Sequence, residues 1–336
     1  MSRRETSFEE LSETNQLDVI QYHPTDQQKW DDFVRSSNNG TIFHTRRFLS
    51  YHPKGRFEDY SLIFRKGGRW TSVLPAAILS NDDARILVSH PGASYGGPVF
   101  DLSISLKDAF FVVQSLLDLA KTEQVHEVRL TLPPLIYHAR PGNYFDFALL
   151  ESGFSYQKRE VSSVIPLDFT EEETLMIFSE TSRRATRRGL KLGVTVEESD
   201  DFATFYDILE DNLKMRHNVK PTHTLAELLQ LKDMFPEDIR LFGAKVAGEL
   251  VAGVVTFTCN QRVTLAFYIS HREDMQEYRG VNVLFYDVIR WAIRRNFKFL
   301  DFGIFTVNMK TNWGLARFKE SFGALGVFRD TLVRKM

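Results

Sequence analysis

Between Val263 and Ala324 the spacing of apolar and polar positions changes period several times in quick succession. VTLAFYIS reads as a strand. After EYRG, Val281, Leu284, Phe285, Val288 and Ala292 recur at helical spacing, with Asp287, Arg290 and Arg294 opposite them. Asn296 follows the last apolar turn as a stop, and FKFLDFG then places Phe297 and Phe299 on one face. The block is a strand, a glycine turn, a helix and a second strand, followed by a basic aromatic tail. A helix that opens just after Gly280 aims unpaired N–H groups and its positive dipole end at the turn. Tyr278, Arg279, Gly280, Val281 and Asn282 are therefore the candidate cradle for a phosphate or pyrophosphate.

The same reading extends along the chain. DVIQYHP is a first strand, and Pro24 to Val34 a helix with Trp30 and Phe33 inward. Two strands meet at Gly67-Gly68, ARILVSH is another, and PGASYGGPVF is a bent loop. Ser105 to Lys121 is a helix with Ala109, Val112, Val113 and Leu116 on one stripe, and HEVRLTLPP is the strand after it. The chain then turns through PGNYFDFALLESGFSY and enters the strand SSVIPLDF. Thr170 and Glu173 have the spacing of a capping box and open a helix ending in SRRATRRGLKLG. Phe202, Phe205, Leu209 and Leu213 define another helix, which stops near Arg216, and Thr224 with Glu227 caps the next. DIRLFGAKVAGELVAGVVTF is a hairpin turning at Gly248. The expected organisation is a loose tail over 1–16, one mixed α/β layer domain over 17–169 and a similar one over 170–325.

Composition narrows the function. Hydrophobic residues at 43% and charged residues at 26% describe an ordinary globular protein, and a formal charge of -2 argues against a surface built wholly for nucleic acid. The single cysteine, Cys259, sits in an apolar run and reads as a buried thiol, so disulfide frameworks and Cys-rich metal sites are excluded. MSRRETSFEELSETNQ lacks the apolar core of a signal peptide, and no run has the length of a membrane span. A cytoplasmic location is expected. Walker, dinucleotide-binding and Gly-x-Ser-x-Gly motifs are missing, and no metal-ligand spacing occurs; His217 and His223 read as exposed loop histidines. Arg183, Arg184, Arg187, Arg188 and Lys191 crowd one helix end. Two readings fit them: a solvated end opposing the helix dipole, or a surface for an anionic ligand.

What remains is a set of short elements in a fixed order. Phe43-His44-Thr45 with Phe48 comes first, then Gly97-Pro98-Val99, Leu149 to Phe154, and the basic run from Arg183 to Gly193. Arg216, Asp301-Phe302-Gly303 and Phe318 to Gly323 (FKESFG) complete it. This order, over nearly the whole chain, resembles the Fem-type aminoacyltransferases, the FemABX family within the GNAT acyltransferase superfamily. The resemblance implies an α/β fold of tandem GNAT-like domains facing each other across a cleft, with 326–336 returning to the first. It implies N-acyl transfer from acyl-CoA or aminoacyl-tRNA to an amine of a small molecule or cell-wall-precursor-like substrate, with no permanently bound cofactor and no metal. Lys319 and Tyr268 are the implied catalytic residues, and His44, Arg47, Tyr95, Arg216 and Asp301 the implied substrate contacts. The family usually carries glutamine and tryptophan where this chain has His44 and Phe48, and arginine where Gly96 stands.

Chemistry supports two of these roles. A fixed cation near the developing oxyanion lowers the barrier to acyl transfer, which suits Lys319, and a guanidinium such as that of Arg216 can grip a diphosphate or carboxylate. Each has a plainer reading: a lysine stem covering Phe318 and Phe322, and a cation at a helix end. Tyr268 likewise reads as a sheet aromatic, and Asp301 as the cap of the loop after its strand. The alternative for the whole chain is a ligand-binding module that keeps the fold without the chemistry.

Overall fold

A computed structural model of the chain describes residues 17–80, 84–217 and 219–336, the side chains of Arg216 and His217 excepted. The expected tail, 1–16, lies outside the described residues. The chain divides into two compact units, one reaching to Gln157 and taken up again over 330–336, the other spanning 158–329.

The first unit contains β1 (Leu17–Gln21), α1 (Gln27–Ser36), α2 (Arg46–Leu49), β2 (Glu58–Asp59), β3 (Leu62–Lys66), β4 (Arg69–Leu74), β5 (Ala77–Ser80), β6 (Arg85–Val88), β7 (Val99–Phe100), α3 (Leu106–Thr122), β8 (Glu127–Thr131) and α4 (Tyr144–Glu151). One antiparallel sheet has the order β1-β3-β4-β7. In the second, β8 is followed by β6, β5 and β2, and Thr331–Lys335 pair with the other edge of β8. β6 and β8 run parallel, so α3 is their crossover. Its start is closed by its own side chains: Ser105 Oγ accepts from the Asp108 N–H at 3.1 Å, and Asp108 accepts from the Ser105 N–H at 3.2 Å. Its inner stripe from Ala109 to Ala120 packs with Leu87, Val128 and Leu130. α4 lies in the stretch read as a turn. YFDFALLE is apolar on both faces, with Phe145, Ala148 and Leu149 buried but Tyr144, Phe147 and Leu150 exposed, so no helical period stands out.

The second unit follows with β9 (Ser155–Pro166), α5 (Thr174–Ile177), α6 (Glu180–Lys191), β10 (Thr195–Ser199), α7 (Phe202–His217), α8 (Leu225–Met234), β11 (Ile239–Val246), β12 (Glu249–Thr258), β13 (Val263–His271), α9 (Gly280–Arg294), β14 (Phe299–Ile304), β15 (Thr306–Val307), β16 (Lys310–Thr311), α10 (Trp313–Glu320) and β17 (Leu325–Lys335). Its sheet has the order β10-β11-β12-β13-β14-β9. Most of β9 belongs here because Val164 and Ile165 pair with Asp301 and Leu300 of β14. The unit therefore begins about a dozen residues before the expected boundary. The helix expected from Thr170 is broken: the Thr170 N–H does reach Glu173, but Phe178 is extended and Ser179 caps α6 anew. The tail read as aromatic and basic is a helix, α10, and a strand, β17.

α9 is the centre of the unit. Val283, Leu284, Phe285, Val288, Ile289 and Ala292 are buried, and each large side chain contributes on the order of 1.5–3 kcal/mol. α6 crosses its first turn at Gly189, where a Cβ would lie 2.6 Å from Val283 and 2.9 Å from the Tyr278 carbonyl. Any side chain there would push the two helices apart.

Candidate functional site

β13 and β14 are parallel, but they pair only over Val263–Leu265 and Phe299–Asp301. Beyond that point β13 continues along β12 to His271, while β14 follows β9, with Ile304 opposite Ser162. At the end of β14, Gly303 has φ 72°, a left-handed conformation that glycine adopts without strain. Asp301, fully buried, fixes this bend by accepting from Ser162 Oγ at 2.6 Å and from the Gly303 N–H at 2.7 Å.

Lys319, on α10, reaches the same place. Its Nζ donates to the carbonyls of Gly303 at 2.7 Å and Ile304 at 2.9 Å, committing two of the three ammonium protons. The side chain is only 3% exposed. Burial pulls its pKa down to about 8, opposed by the Asp301 carboxylate. Lys319 and Asp301 are thus both buried at the same bend, the lysine held by backbone carbonyls rather than lying on the surface. Tyr268, on β13, stands apart from this cluster in its bonding. Its hydroxyl accepts the His223 N–H at 3.0 Å and lies 2.9 Å from His223 Nδ1. Burial pushes its pKa up to about 12, so it is a neutral phenol. His223 is 2% exposed, which corrects its reading as a solvent-exposed loop residue: the loop before α8 folds it onto Tyr268.

At Tyr278 to Asn282 the structure has a turn that opens a helix, as the spacing of the sequence predicts. A 3-10 turn over Glu273–Tyr278 leads to Arg279, left-handed at φ 59°, and α9 starts at Gly280 without a side-chain cap. The first backbone bond of the helix is from the Asn282 N–H to the Arg279 carbonyl, so the N–H groups of Gly280 and Val281 precede it. A cavity of about 160 Å³ lies here, lined by Arg272, Gln276, Arg279, Gly280, Asn282 and Phe318. Arg272 is already paired with Glu249 at 3.0 Å and Asp274 at 2.7 Å. Arg279 has no ion pair among the described residues. A second cavity of about 640 Å³ shares His271 and Arg272 and runs along the Asp207 and Asp211 face of α7.

The basic run lies on α6, whose Gly189 touches the cradle. Arg184 pairs with Glu180 at 2.9 Å, whereas Arg187, Arg188 and Lys191 are exposed. Arg216 ends up in the last turn of α7, but its side chain lies outside the described residues. In the first unit, His44 is fully buried and both ring nitrogens are engaged. Nδ1 accepts from the Thr41 N–H at 3.1 Å, and Nε2 donates to the Gly96 carbonyl at 3.0 Å. Burial lowers its pKa to about 4. His44 thus ties its turn to the Gly96 loop rather than offering a free nitrogen to a substrate. Tyr95 is 2% exposed and packs on Phe43 and Tyr137, while Arg47 is exposed on α2. Ser162, His223, Arg272 and Phe318 are additions that sequence reasoning missed. Ser162 and His223 meet partners 139 and 45 residues away, whereas Arg272 pairs with Asp274 two residues on and with Glu249, and the RG pair after Tyr278 is the only hint of the smaller cavity.

Among the described residues no group of three His, Cys, Asp or Glu could hold a metal ion, and no helix is long and apolar enough to cross a membrane. Comparison with known proteins adds a domain match and a fold likeness. The model of an acetyltransferase (GNAT) domain matches residues 178–320. No curated protein sequence matches the chain. Among solved structures, FemX is similar with a TM-score of 0.75 at 14% identity, over 95% of this chain and 97% of that one. L-PGS from Bacillus licheniformis has a TM-score of 0.57 at 12% identity, over 92% of each chain. A tandem GNAT protein from the clavulanic acid biosynthesis pathway has 0.55 at 12%, over 95% of this chain and 98% of that one. At these identities the likeness is one of fold. Residues 178–320 match an acetyltransferase (GNAT) domain, and the chain as a whole shares the fold of FemX and of the tandem GNAT protein.

Proposed function

We propose that the chain transfers an acyl group from acyl-CoA to an amine, with the donor's phosphates at the Arg279–Asn282 turn and Lys319 beside the reacting carbonyl. The amine nitrogen attacks the acyl carbon and the carbonyl oxygen takes up negative charge. Collapse of this intermediate forms the amide, expels the thiolate and releases the amine's proton. The observation that carries the reading is the buried Lys319 ammonium at the point where β13 and β14 have stopped pairing. Two protons are fixed on carbonyls, so the charge is held in place and the third donor has a set direction, which is what transition-state stabilisation requires. The turn supplies N–H groups of Gly280 and Val281, the helix dipole and Arg279 to a phosphate. The acceptor belongs to the class of small amines or cell-wall-precursor-like amines, used in the cytoplasm.

Aminoacyl-tRNA is the second donor reading, favoured by the exposed Arg187, Arg188 and Lys191 beside the same turn. The two separate in one experiment: the purified chain with acetyl-CoA or a mixed aminoacyl-tRNA pool, each with a panel of amines. Consumption of acetyl-CoA with an acylated amine as product supports the first reading, and aminoacylated amine supports the second. If no amine draws turnover from either donor and neither donor binds, the proposal is wrong.

A further inference from the structure

The β15–β16 hairpin is separate from the main sheet, since its strands pair only with each other. Its turn residues, Asn308 and Met309, have φ of 49° and 60°. Two successive left-handed residues form a hairpin turn whose second position favours glycine, and a methionine there is locally unfavourable. Burial offers no compensation, because Met309 is 59% exposed. Val307 beside it is 64% exposed, and Trp313 at the start of α10 is 69% exposed. The Asn312 N–H donates to the Phe305 carbonyl at 2.9 Å, closing the base of the hairpin so that Trp313 follows it directly. Lys310 and Arg317 are exposed, and Arg317 Nε donates to the Trp313 carbonyl at 3.3 Å. The neighbouring acid, Glu160, is 9% exposed and turned to the Met309 N–H at 3.3 Å.

We propose that this tip docks the protein on the surface of an anionic lipid bilayer. Aliphatic side chains on a turn, an indole beside them and flanking cations match the three layers of such a surface: hydrocarbon, headgroup boundary and negative charge. Val307 and Met309 present no flat face for a base, so hydrocarbon suits the tip better than nucleic acid does. The sequence places an apolar side chain where the backbone favours glycine, which sets surface chemistry above local stability at this turn.

The test uses the full chain and its own fluorescence. Trp30 and Trp70 are buried and Trp291 is half-buried, so a change in tryptophan emission on adding vesicles reports chiefly on Trp313. Vesicles of phosphatidylglycerol and phosphatidylcholine should blue-shift the emission and sediment the protein, less so at high salt and least with phosphatidylcholine alone. Met309→Gly relaxes the turn, so its Tm should hold or rise while the fraction bound falls roughly 5-fold, and Trp313→Gln should weaken binding similarly. Unchanged emission with anionic vesicles overturns the proposal. So does wild-type binding by Met309→Gly, or a response to RNA with none to vesicles.

Discussion

α3 and α9 do the same architectural work and end differently. Each is the crossover between two parallel strands, β6 and β8 in one unit, β13 and β14 in the other. The N-terminus of α3 is occupied by its own carboxylate, since Asp108 accepts from Ser105 and also holds Lys66 at 3.0 Å. α9 has no side-chain cap, a cation at the capping position and a cavity in front of it. The buried ionisable groups differ in the same sense. The first unit keeps His44, His90 and His138 neutral, each pulled down to about 4 by burial. The second keeps an ammonium beside a carboxylate. The crossover helix has its start closed by its own side chains in the first unit and left uncapped in the second.

The largest test of this contrast is Lys319→Met, which keeps the stem and removes the charge. kcat should fall by roughly 10²–10³ with little change in KM. The wild-type rate should also decline as pH rises through about 8, where the ammonium loses its proton. A variant that loses stability alone would make Lys319 a clamp on Gly303 and Ile304 and erase the difference between the units.

Acid should separate the units next. Histidines whose folded pKa is depressed from 6.5 to about 4 bind fewer protons folded than unfolded in that window, so stability falls as pH drops from 6.5 to 4. The loss should be on the order of a few kcal/mol in urea titrations, and it should fall on the first unit. Equal stability at pH 7 and pH 4.5 would show that the histidines are not held neutral.

Smaller effects sharpen the helix comparison. Arg279→Asn keeps a residue that tolerates φ 59° but removes the cation, so the KM for the phosphate-bearing donor should rise about 10-fold at unchanged Tm. An unchanged KM would move the donor away from α9. Ser105→Ala, at the capped helix, should lower stability by about 1 kcal/mol and leave kcat and KM alone. An effect on turnover would mean that α3 too takes part in the chemistry.

Local signals were legible in the sequence where they act within a few residues. Thr224 and Glu227 close the capping box before α8, Ala247-Gly248 turns the β11–β12 hairpin, and Gly280 opens α9. The helix α4 was missed because its apolar residues face both ways, and the break at Phe178 because nothing before it forbids a continuous helix. For the candidate site, the sequence offers residue types but not the bonds between them. Lys319 meets carbonyls 15 and 16 residues away, and Asp301 meets Ser162 across 139. His44 illustrates the converse: a buried ring with both nitrogens used looks, in sequence, like any other histidine.

The pairing of Thr331–Lys335 with β8 sets an order of events during synthesis. Strand β8 waits some two hundred residues for its partner, while the second unit, continuous over 158–329, has all of its own strands by then. Closure of the first sheet is therefore the last step and the one with the longest loop to gather. Chains stalled just short of residue 330 should hold a folded acetyltransferase domain beside a first unit with one sheet edge bare, a species that chaperones or aggregation would meet first.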